Sequence, residues 1–360
     1  MLFNNIYKNK KILITGHTGF KGSWLSVWLQ KLGAEVIGIA LEPSTDPSHF
    51  ALLDLKIESY FMDIRNAEKI TAVFHEVNPD MIFHLAAQPL VKESYKNPLY
   101  TLETNVIGTA NILQACRNIK NLKAVLIITS DKCYENKEWL WGYRENDPMG
   151  GYDPYSASKG CAELVISSFR NAYFNLKDYK TKHHTLIASA RAGNVIGGGD
   201  WSADRLIPDI IKARANNEII TIRSPNATRP WQHILDCNYG YLGLGAKLIA
   251  QEPAFAEAWN FAPIIYEDVK VIDIVKKMQC YWPKLHYEIK TNPEQLHEAN
   301  LLKLDSSKAN TLLKWRSIWD LDKTIAMTIN WYKNFYENRK ISTFEDIENY
   351  CQDLAQVRYV

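Results

Sequence analysis

The stretch KILITGHTGFKG, residues 11–22, decides the fold. Its first five residues are an almost continuous apolar run, which predicts a short buried strand. Gly16, Gly19 and Gly22 follow in a GxxGxxG pattern, and tryptophans and leucines then recur at helical spacing up to residue 32. Glycines between a first strand and a first helix let the backbone approach a phosphate and place it at the helix N-terminus. The pattern therefore predicts a dinucleotide-binding turn, and a plain tight turn is the alternative.

Strands and helices alternate through the first half of the chain in the way that is typical of a parallel sheet covered on both faces. Further apolar runs predict strands at 35–41, 60–64, 81–87, 124–129 and 185–191, with helices at 20–32, 67–77, 98–118 and 155–174. We therefore expect an α/β protein with a doubly wound, parallel Rossmann sheet. A smaller C-terminal α/β substrate lobe follows, so the predicted domains are 1–195 and 196–360, with an interleaved boundary. Residues after 340 are expected at the periphery.

The composition argues against several classes of protein. The 360 residues carry 42 Lys and Arg against 40 Asp and Glu, and this near neutrality argues against a nucleic-acid-binding protein. The chain lacks an apolar run of about 18 residues that predicts a membrane span, and its first residues lack the pattern of a signal peptide. Six scattered cysteines without a CxxC pair predict no metal site and are typical of free thiols in a reducing compartment, so we expect a cytoplasmic protein.

Tyr155 and Lys159 lie four residues apart at the start of a predicted helix, so their side chains share one helix face. A cation beside a phenol favours the phenolate and is expected to lower the Tyr155 pKa toward the range of a useful base. The alternative is an ordinary solvated helix face. Thr129 and Ser130, which close the fifth predicted strand just upstream, favour the catalytic interpretation.

The second predicted strand ends at Ile39-Ala40-Leu41 without the acidic residue that binds a ribose in dinucleotide-binding folds. Glu42 follows only afterwards, so the acid is absent or displaced, which suggests loose cofactor binding. No arginine near this strand end offers a partner for a 2′-phosphate, and this favours NAD over NADP. Lys21, inside the glycine turn, keeps NADP open.

The chain resembles the extended short-chain dehydrogenases/reductases that act on sugar nucleotides. The resemblance extends to about residue 335 and is carried by TGHTGFKG, the Asp63-Ile64-Arg65 triplet, HLAAQ (84–88), TNVIGT (104–109), TSDK (129–132), the Tyr155–Lys159 pair and RAGNVIGGGDW (191–201). Ser130, Asp131 and Lys132 stand where the 4,6-dehydratases of the family carry Thr-Asp-Glu. The lysine in place of glutamate, RPWQHI (229–234) and the EWLWGYREN loop resemble the branch that acts on CDP-glucose.

This resemblance implies a bound NAD and a substrate that is CDP-glucose or a related NDP-hexose. The residues that it assigns to the cofactor are Gly16, Thr18, Gly19, Phe20, Gly22, Asp63, Ile64, Ala86, Ala87, Asn105, Thr129, Tyr155 and Lys159. Among these, Asp63 meets the adenine and Asn105 supports a helix contact. The residues that it assigns to the substrate are Gln88, Asn194, Arg205 and Arg229, and arginine suits a diphosphate. Although the net charge of the chain is close to zero, we thus expect a local cationic cluster of Lys132, Lys159, Arg205 and Arg229 at the substrate diphosphate.

The resemblance also implies a chemistry: oxidation at C4 of the hexose, loss of water across C5 and C6, and return of the hydride to C6. Tyr155 takes the 4-hydroxyl proton while Lys159 orients the cofactor. Ser130 binds the 4-oxygen, and Asp131 protonates the leaving 6-hydroxyl. Lys132 either removes the C5 proton as a neutral amine or stays charged and stabilises an enolate, and the sequence leaves both roles open.

Other functions remain open at this stage. A dehydratase for another NDP-sugar, a 4-epimerase or a 4-reductase uses the same scaffold, although an epimerase needs no Asp131-Lys132 elimination pair. A catalytically silent NAD-binding regulatory protein would keep the fold, and the intact Ser130, Tyr155 and Lys159 argue against it. The resemblance further implies a place in deoxysugar or O-antigen biosynthesis. It also implies a homodimer or homotetramer, paired through the Tyr155 helix and the long helix before the fifth strand.

Overall fold

A computed structural model describes residues 2–222, 224–228, 230–263, 269–283, 285–290 and 301–357. The strands of this part of the chain are β1 Lys11–Thr15, β2 Glu35–Ala40, β3 Glu58–Phe61, β4 Met81–His84, β5 Ala124–Ile128, β6 Leu186–Ala192, β7 Asn194–Ile196, β8 Ile219–Ile222, β9 Trp231–His233, β10 Ala258–Phe261 and β11 His286–Ile289. The α-helices are α1 Phe20–Lys31, α2 His49–Leu53, α3 Ala67–Val77, α4 Val91–Lys96, α5 Pro98–Leu102, α6 Gly108–Cys116, α7 Pro154–Ala172, α8 Leu206–Ala215, α9 Ile234–Ile249, α10 Val271–Tyr281, α11 Leu321–Asn338 and α12 Thr343–Val357.

The central sheet has the strand order β3-β2-β1-β4-β5-β6-β10, and each neighbouring pair is parallel. Side chains alternate along β1: Leu13 packs on one face with residues of α3, α6 and α7, and Ile12 and Ile14 pack on the other with α1, α9, α11 and α12. Both faces are therefore covered by helices. The predicted α/β fold with a doubly wound, parallel Rossmann sheet is confirmed. Among the described residues, every helix is too short or too polar to span a bilayer.

Three predicted elements differ from the observed ones. The fourth strand is predicted at 81–87, but β4 ends at His84. The third strand is predicted at 60–64, but β3 ends at Phe61 because Asp63 Oδ1 accepts a hydrogen bond from the Arg65 backbone and closes a turn there. The helix expected at 98–118 consists of α5, a π-helical turn over Glu103–Ile107, and α6. The extra residue of such a turn re-aims side chains, and π-helical turns occur frequently at functional sites.

The second lobe is built from short parallel strand pairs, β7 with β9 and β8 with β11, together with α8 and α10. Strand β10 follows the predicted boundary at 195/196, yet it pairs with β6 in the central sheet. The chain therefore returns to the first layer after it has entered the second lobe. The division into domains 1–195 and 196–360 stays a prediction.

The C-terminal helix α12 is part of the core, so the expectation that residues after 340 are peripheral is wrong. Tyr350 is fully buried, its ring contacts the Trp28 ring at 5.5 Å, and its hydroxyl donates to Asp236 Oδ1 at 2.7 Å. At the start of the helix, the Thr343 hydroxyl lies 2.8 Å from His49 Nε2. Helix α12 thus packs on α1 and α9, two of the helices that cover one face of the sheet.

Candidate active site

A cleft of about 1130 Å³ opens at the carboxyl ends of the central strands and is lined on its other side by the second lobe. Ligands of open α/β sheets bind at this edge. The predicted site residues that line the cleft are Gly16, Thr18, Gly19, Phe20, Gly22, Asp63, Ile64, Ala86, Ala87, Gln88, Thr129, Ser130, Asp131, Lys132, Tyr155, Lys159, Asn194 and Arg205. Asn105 lies behind this lining, and Arg229 lies outside the described residues.

The glycine turn forms a cradle that larger residues would fill. Gly16 has a backbone φ of +79°, and a Cβ on it would lie 2.7 Å from the Ala86 backbone nitrogen. A Cβ on Gly22 would lie 2.1 Å from the Gly16 carbonyl oxygen. Gly19 caps α1 without offering a side-chain oxygen to the first-turn amides, so these amides are available to an anion. The geometry fits a dinucleotide diphosphate.

The far end of the cleft offers polar groups for the rest of a dinucleotide. Asp63 lines it and accepts hydrogen bonds from the Arg65 guanidinium at 2.8 and 3.0 Å. Beyond the end of β2, the cleft is lined by Glu42, Ser44 and Thr45. These polar side chains lie in the cleft lining just beyond the strand end, where the sequence lacks an acid. In the sequence these residues are visible only as a polar stretch after the second strand, and no spacing relative to the glycine turn identifies them as site residues.

Gln88 and Asn105 form a buried network beside the cleft. The Gln88 side-chain amide donates to Thr101 Oγ1 at 2.8 Å and accepts from the Leu90 backbone at 2.5 Å. Asn105 donates to the Gln88 carbonyl at 3.0 Å and to Ser158 Oγ at 2.8 Å. Asn105 therefore supports the cleft wall from behind and does not line the cleft, because its side-chain amide is hydrogen-bonded to Gln88 and to Ser158 of α7. A role of Gln88 toward substrate stays a prediction.

The predicted catalytic residues come from two elements that meet at the cleft. Asp153 caps α7 by accepting from the Ser156 backbone at 2.9 Å, which places Tyr155 and Lys159 in the first turns of the helix. Ser130, Asp131 and Lys132 follow β5 in a 3₁₀ turn. Ser130 Oγ donates to Asp131 Oδ1 at 2.9 Å. The structure thus brings together five residues that lie up to 29 positions apart in the chain.

The electrostatic environment of Tyr155 differs from the expectation. Burial raises the pKa of Tyr155 to about 12, a hydrogen bond with Ser130 opposes this, and the charge of Asp131 adds to it. Burial and the charge of Lys21 lower the pKa of Lys159 to about 8. Lys159 Nζ lies 5.9 Å from the centroid of the Tyr155 ring. Spacing along the helix predicts this proximity correctly, but it does not report how much water the site excludes.

A buried ion pair behind the catalytic turn was not predicted. Arg191 and Glu163 are about 95% buried, and their atoms Nη2 and Oε2 lie 2.7 Å apart. Glu163 also accepts from Thr129 Oγ1 at 2.5 Å, and Arg191 Nη1 donates to Tyr134 Oη at 2.6 Å. The pair therefore joins α7, β6 and both sides of the turn. The only hint of this pair in the sequence is that Glu163 lies four residues after Lys159, on the same face of the predicted helix.

The cationic side chains of the site differ in whether an acidic side chain neutralises them. Arg205 Nη1 lies 3.0 Å from Asp200 Oδ2, so its charge is partly neutralised. Lys132 is half-buried in the cleft lining, and within the described ranges its ammonium has no hydrogen-bond partner. Of the four expected cations, the structure places Lys132, Lys159 and Arg205 in one cleft.

Histidine and cysteine side chains do not form a metal centre in the part of the chain that the structure describes. His84 lies between Thr15 Oγ1 at 2.6 Å and Thr109 Oγ1 at 3.1 Å. Burial and the charge of Lys159 lower the His84 pKa to about 3, which keeps the imidazole neutral. His84 is thus a buried core residue whose two ring nitrogens both have hydrogen-bond partners.

Comparisons with known proteins identify relatives. Residues 13–328 match the family described as GDP-mannose 4,6 dehydratase. The CDP-glucose 4,6-dehydratase of Salmonella typhimurium is 48% identical over 355 residues, which cover 97% of this chain and 98% of that protein. An epimerase from Methanothermobacter thermautotrophicus has a TM-score of 0.82 at 23% identity, covering 94% and 97% of the two chains. A Thermus thermophilus UDP-glucose 4-epimerase in complex with NAD has a TM-score of 0.75 at 20% identity, covering 89% and 98%. The two solved structures are similar in fold.

Proposed function

Because the chain belongs to the GDP-mannose 4,6 dehydratase family of extended short-chain dehydrogenases/reductases, we propose that it converts CDP-D-glucose to CDP-4-keto-6-deoxy-D-glucose and water, with NAD as its cofactor. The observation that carries this proposal is the convergence of Ser130, Asp131, Lys132, Tyr155 and Lys159 on a cleft that also contains a phosphate cradle. Near-full-length similarity to a CDP-glucose 4,6-dehydratase supports the choice of substrate.

The glycine cradle, with Asp63 and Ile64 further along the cleft, would hold the dinucleotide. Bound NAD⁺ supplies the reversible hydride chemistry that joins oxidation at C4 to reduction at C6, so the reaction needs no external oxidant. Lys159 lies beside Tyr155 and would orient the cofactor ribose while its charge favours the Tyr155 phenolate.

Proton transfers are assigned to the side chains at the cleft floor. Tyr155 Oη takes the proton of the 4-hydroxyl, and Ser130 Oγ holds the 4-oxygen in place. Asp131 protonates the leaving 6-hydroxyl, and its contact with Ser130 keeps the two groups on one side of the sugar. The charge of Arg205 lowers the pKa of Tyr155, against the larger effect of burial, and so helps the phenol to act as a base.

A panel of nucleotide sugars tests the proposed function. CDP-, dTDP-, GDP- and UDP-glucose are incubated with the protein and NAD, and products are measured by their ultraviolet absorbance in alkali, which 4-keto-6-deoxy sugars show and epimerised sugars do not. We expect turnover with CDP-glucose above the other three. An epimerised product, or binding of NAD without turnover of any sugar nucleotide, would replace the dehydratase by an epimerase or by a regulatory protein.

We propose that Lys132 removes the C5 proton as a neutral amine and returns a proton to C5 when hydride adds to C6, and this role can be separated from charge stabilisation. With substrate deuterated at C5, Lys132→Met is expected to abolish exchange at C5, whereas Lys132→Glu restores a base and retains part of it. Lys137→Met removes an exposed lysine five residues away and serves as the control. If exchange at C5 survives in Lys132→Met, Lys132 stabilises the enolate electrostatically and another group removes the proton.

We also propose that the protein is a homodimer or a homotetramer paired through α7 and the helices before β5. Support comes from large apolar side chains that remain exposed on these packed helices: Leu99 at 72%, Ile107 at 53% and Leu164 at 60%. Exposed apolar groups on adjacent helices are typical of association surfaces. The six cysteines, all in the described residues, are free, which supports a cytoplasmic location, and deoxysugar or O-antigen biosynthesis is the proposed context.

A further inference from the structure

Gly193 is a cleft residue whose missing side chain leaves room for the Asp131 carboxyl. It lies between β6 and β7 and lines the cleft. A Cβ on Gly193 would lie 3.2 Å from Asp131 Oδ2 and 3.0 Å from Pro230 Cγ, and both distances are shorter than ordinary van der Waals contact. A side chain at position 193 would therefore compete with the Asp131 carboxyl for the same space.

The backbone conformation of Gly193 does not itself require a glycine. Its φ lies outside the left-handed region, in contrast to the φ of Gly16 and of Gly199, so a residue with a Cβ meets no left-handed strain there. The reason for a glycine at this position thus lies in the space around it.

Strand pairing fixes the backbone on both sides of Gly193. The residue directly follows β6, which pairs with β10, and directly precedes β7, which pairs with β9. Pro230, the other neighbour of the added Cβ, directly precedes β9. Because these backbone segments are tied into sheets, the Asp131 side chain, which rotates about single bonds, is the partner that gives way to a methyl group.

The two carboxyl oxygens of Asp131 face different neighbours in a buried environment. Oδ1 accepts from Ser130 Oγ at 2.9 Å, and Oδ2 lies against the open side of Gly193. Asp131 is only 4% exposed. A Cβ at position 193 would move Oδ2 by a few tenths of an ångström and so would turn the carboxyl away from its present direction.

We infer that Gly193 is a positioning residue that admits the Asp131 carboxyl to the place from which it protonates the leaving 6-hydroxyl. This inference rests on the proposed function, which makes Asp131 the acid. In the elimination, the C5–H bond breaks, its proton passes to Lys132 and its electron pair forms the C5–C6 double bond. The C6–O bond breaks at the same time, and the oxygen takes the Asp131 proton and leaves as water.

A side chain at position 193 is expected to slow the elimination and not the oxidation at C4. Tyr155 and Lys159, which serve the oxidation, lie on α7, and the three atoms nearest to the added Cβ belong to Asp131 and Pro230. A misplacement of about 1 Å in an active site can cost about 100-fold in rate. A displacement of a few tenths of an ångström is therefore expected to cost about three- to tenfold.

Bound NADH reports the two steps separately, because it forms in the oxidation and is consumed only after the elimination. CDP-glucose is mixed rapidly with the wild-type protein and with Gly193→Ala, each with NAD bound, and the absorbance of NADH is followed over a single turnover. CDP-6-deoxy-6-fluoroglucose is used in parallel, because fluoride is a weaker base than hydroxide and needs less help from an acid. Gly243→Ala on α9 is the matched control, since the nearest atom to its added Cβ is 3.9 Å away. Thermal unfolding of each variant monitors the fold.

We expect NADH to appear in Gly193→Ala at the wild-type rate and to decay about three- to tenfold more slowly, with a smaller defect on the fluoro substrate. Gly243→Ala is expected to match the wild-type protein in both phases. Slower appearance of NADH in Gly193→Ala would show general damage to the site, and an unchanged decay would show that Asp131 tolerates the methyl group. A defect of equal size on the fluoro substrate would show that a group other than the acid is disturbed. Each of these three results overturns the inference. If the wild-type protein forms neither NADH nor a 4-keto product from CDP-glucose, the proposed function is itself wrong.

Discussion

Gly22 shows how one residue controls the cofactor cradle. The Gly16 carbonyl leaves no room for a Cβ at position 22, so Gly22→Ala is expected to distort the turn, abolish NAD binding and lower the free energy of unfolding by about 1–3 kcal/mol. Gly243 on α9 is the matched control, because the nearest atom to its added Cβ is 3.9 Å away. Gly243→Ala is expected to stabilise the protein by about 0.4–1 kcal/mol.

Calorimetric NAD binding and denaturant unfolding of the two alanine variants check this prediction. Wild-type NAD affinity in Gly22→Ala would contradict the steric argument.

Tyr155 shows, at the scale of single residues, what the sequence does not reveal. The sequence places Tyr155 and Lys159 in one site, but it predicts a lowered pKa for Tyr155. Burial, which depends on residues far along the chain, reverses that direction.

At the scale of elements, α12 is joined to α9 through a buried carboxyl. Asp236 Oδ1 accepts from the Ile318 backbone at 2.5 Å and from the Tyr350 hydroxyl at 2.7 Å, and burial raises the Asp236 pKa to about 7. The folded protein therefore holds a proton between about pH 4 and pH 7 that the unfolded chain has released. The free energy of unfolding therefore falls as the pH rises from about 4 to about 7. Above pH 7, the destabilisation caused by the buried Asp236 carboxylate no longer changes with pH.

The variant Asp236→Asn removes this titration. We expect its free energy of unfolding, relative to the wild-type protein, to increase between about pH 4 and about pH 7, as measured by urea unfolding. The control Asp54→Asn changes an exposed carboxyl and is expected to show no such increase. Asp346 on α12 also has a pKa raised to about 7 by burial and stays in both proteins, so the difference isolates Asp236. A pH-independent difference would show that Asp236 is charged throughout.

For the whole molecule, the exposed apolar side chains of the helices before β5 and of α7 predict association. Leu164→Glu places a charge on the proposed interface and is expected to shift the protein from dimer or tetramer to monomer in analytical ultracentrifugation. Leu312→Glu changes a leucine that is 56% exposed in another region and is expected to leave the oligomeric state unchanged. If both variants sediment like the wild-type protein, the interface lies elsewhere.

The sequence by itself determined the strand–glycine turn–helix unit, the alternation that produces a parallel sheet, and the shared helix face of Tyr155 and Lys159. These features depend on spacing within about 20 residues, where periodicity and turn chemistry report directly on structure. Only the tertiary structure decided that α12 is buried and that Glu163 and Arg191 hold the catalytic turn. These features depend on burial and on charged side chains that the fold brings together from distant parts of the chain, and local sequence patterns contain no information on either.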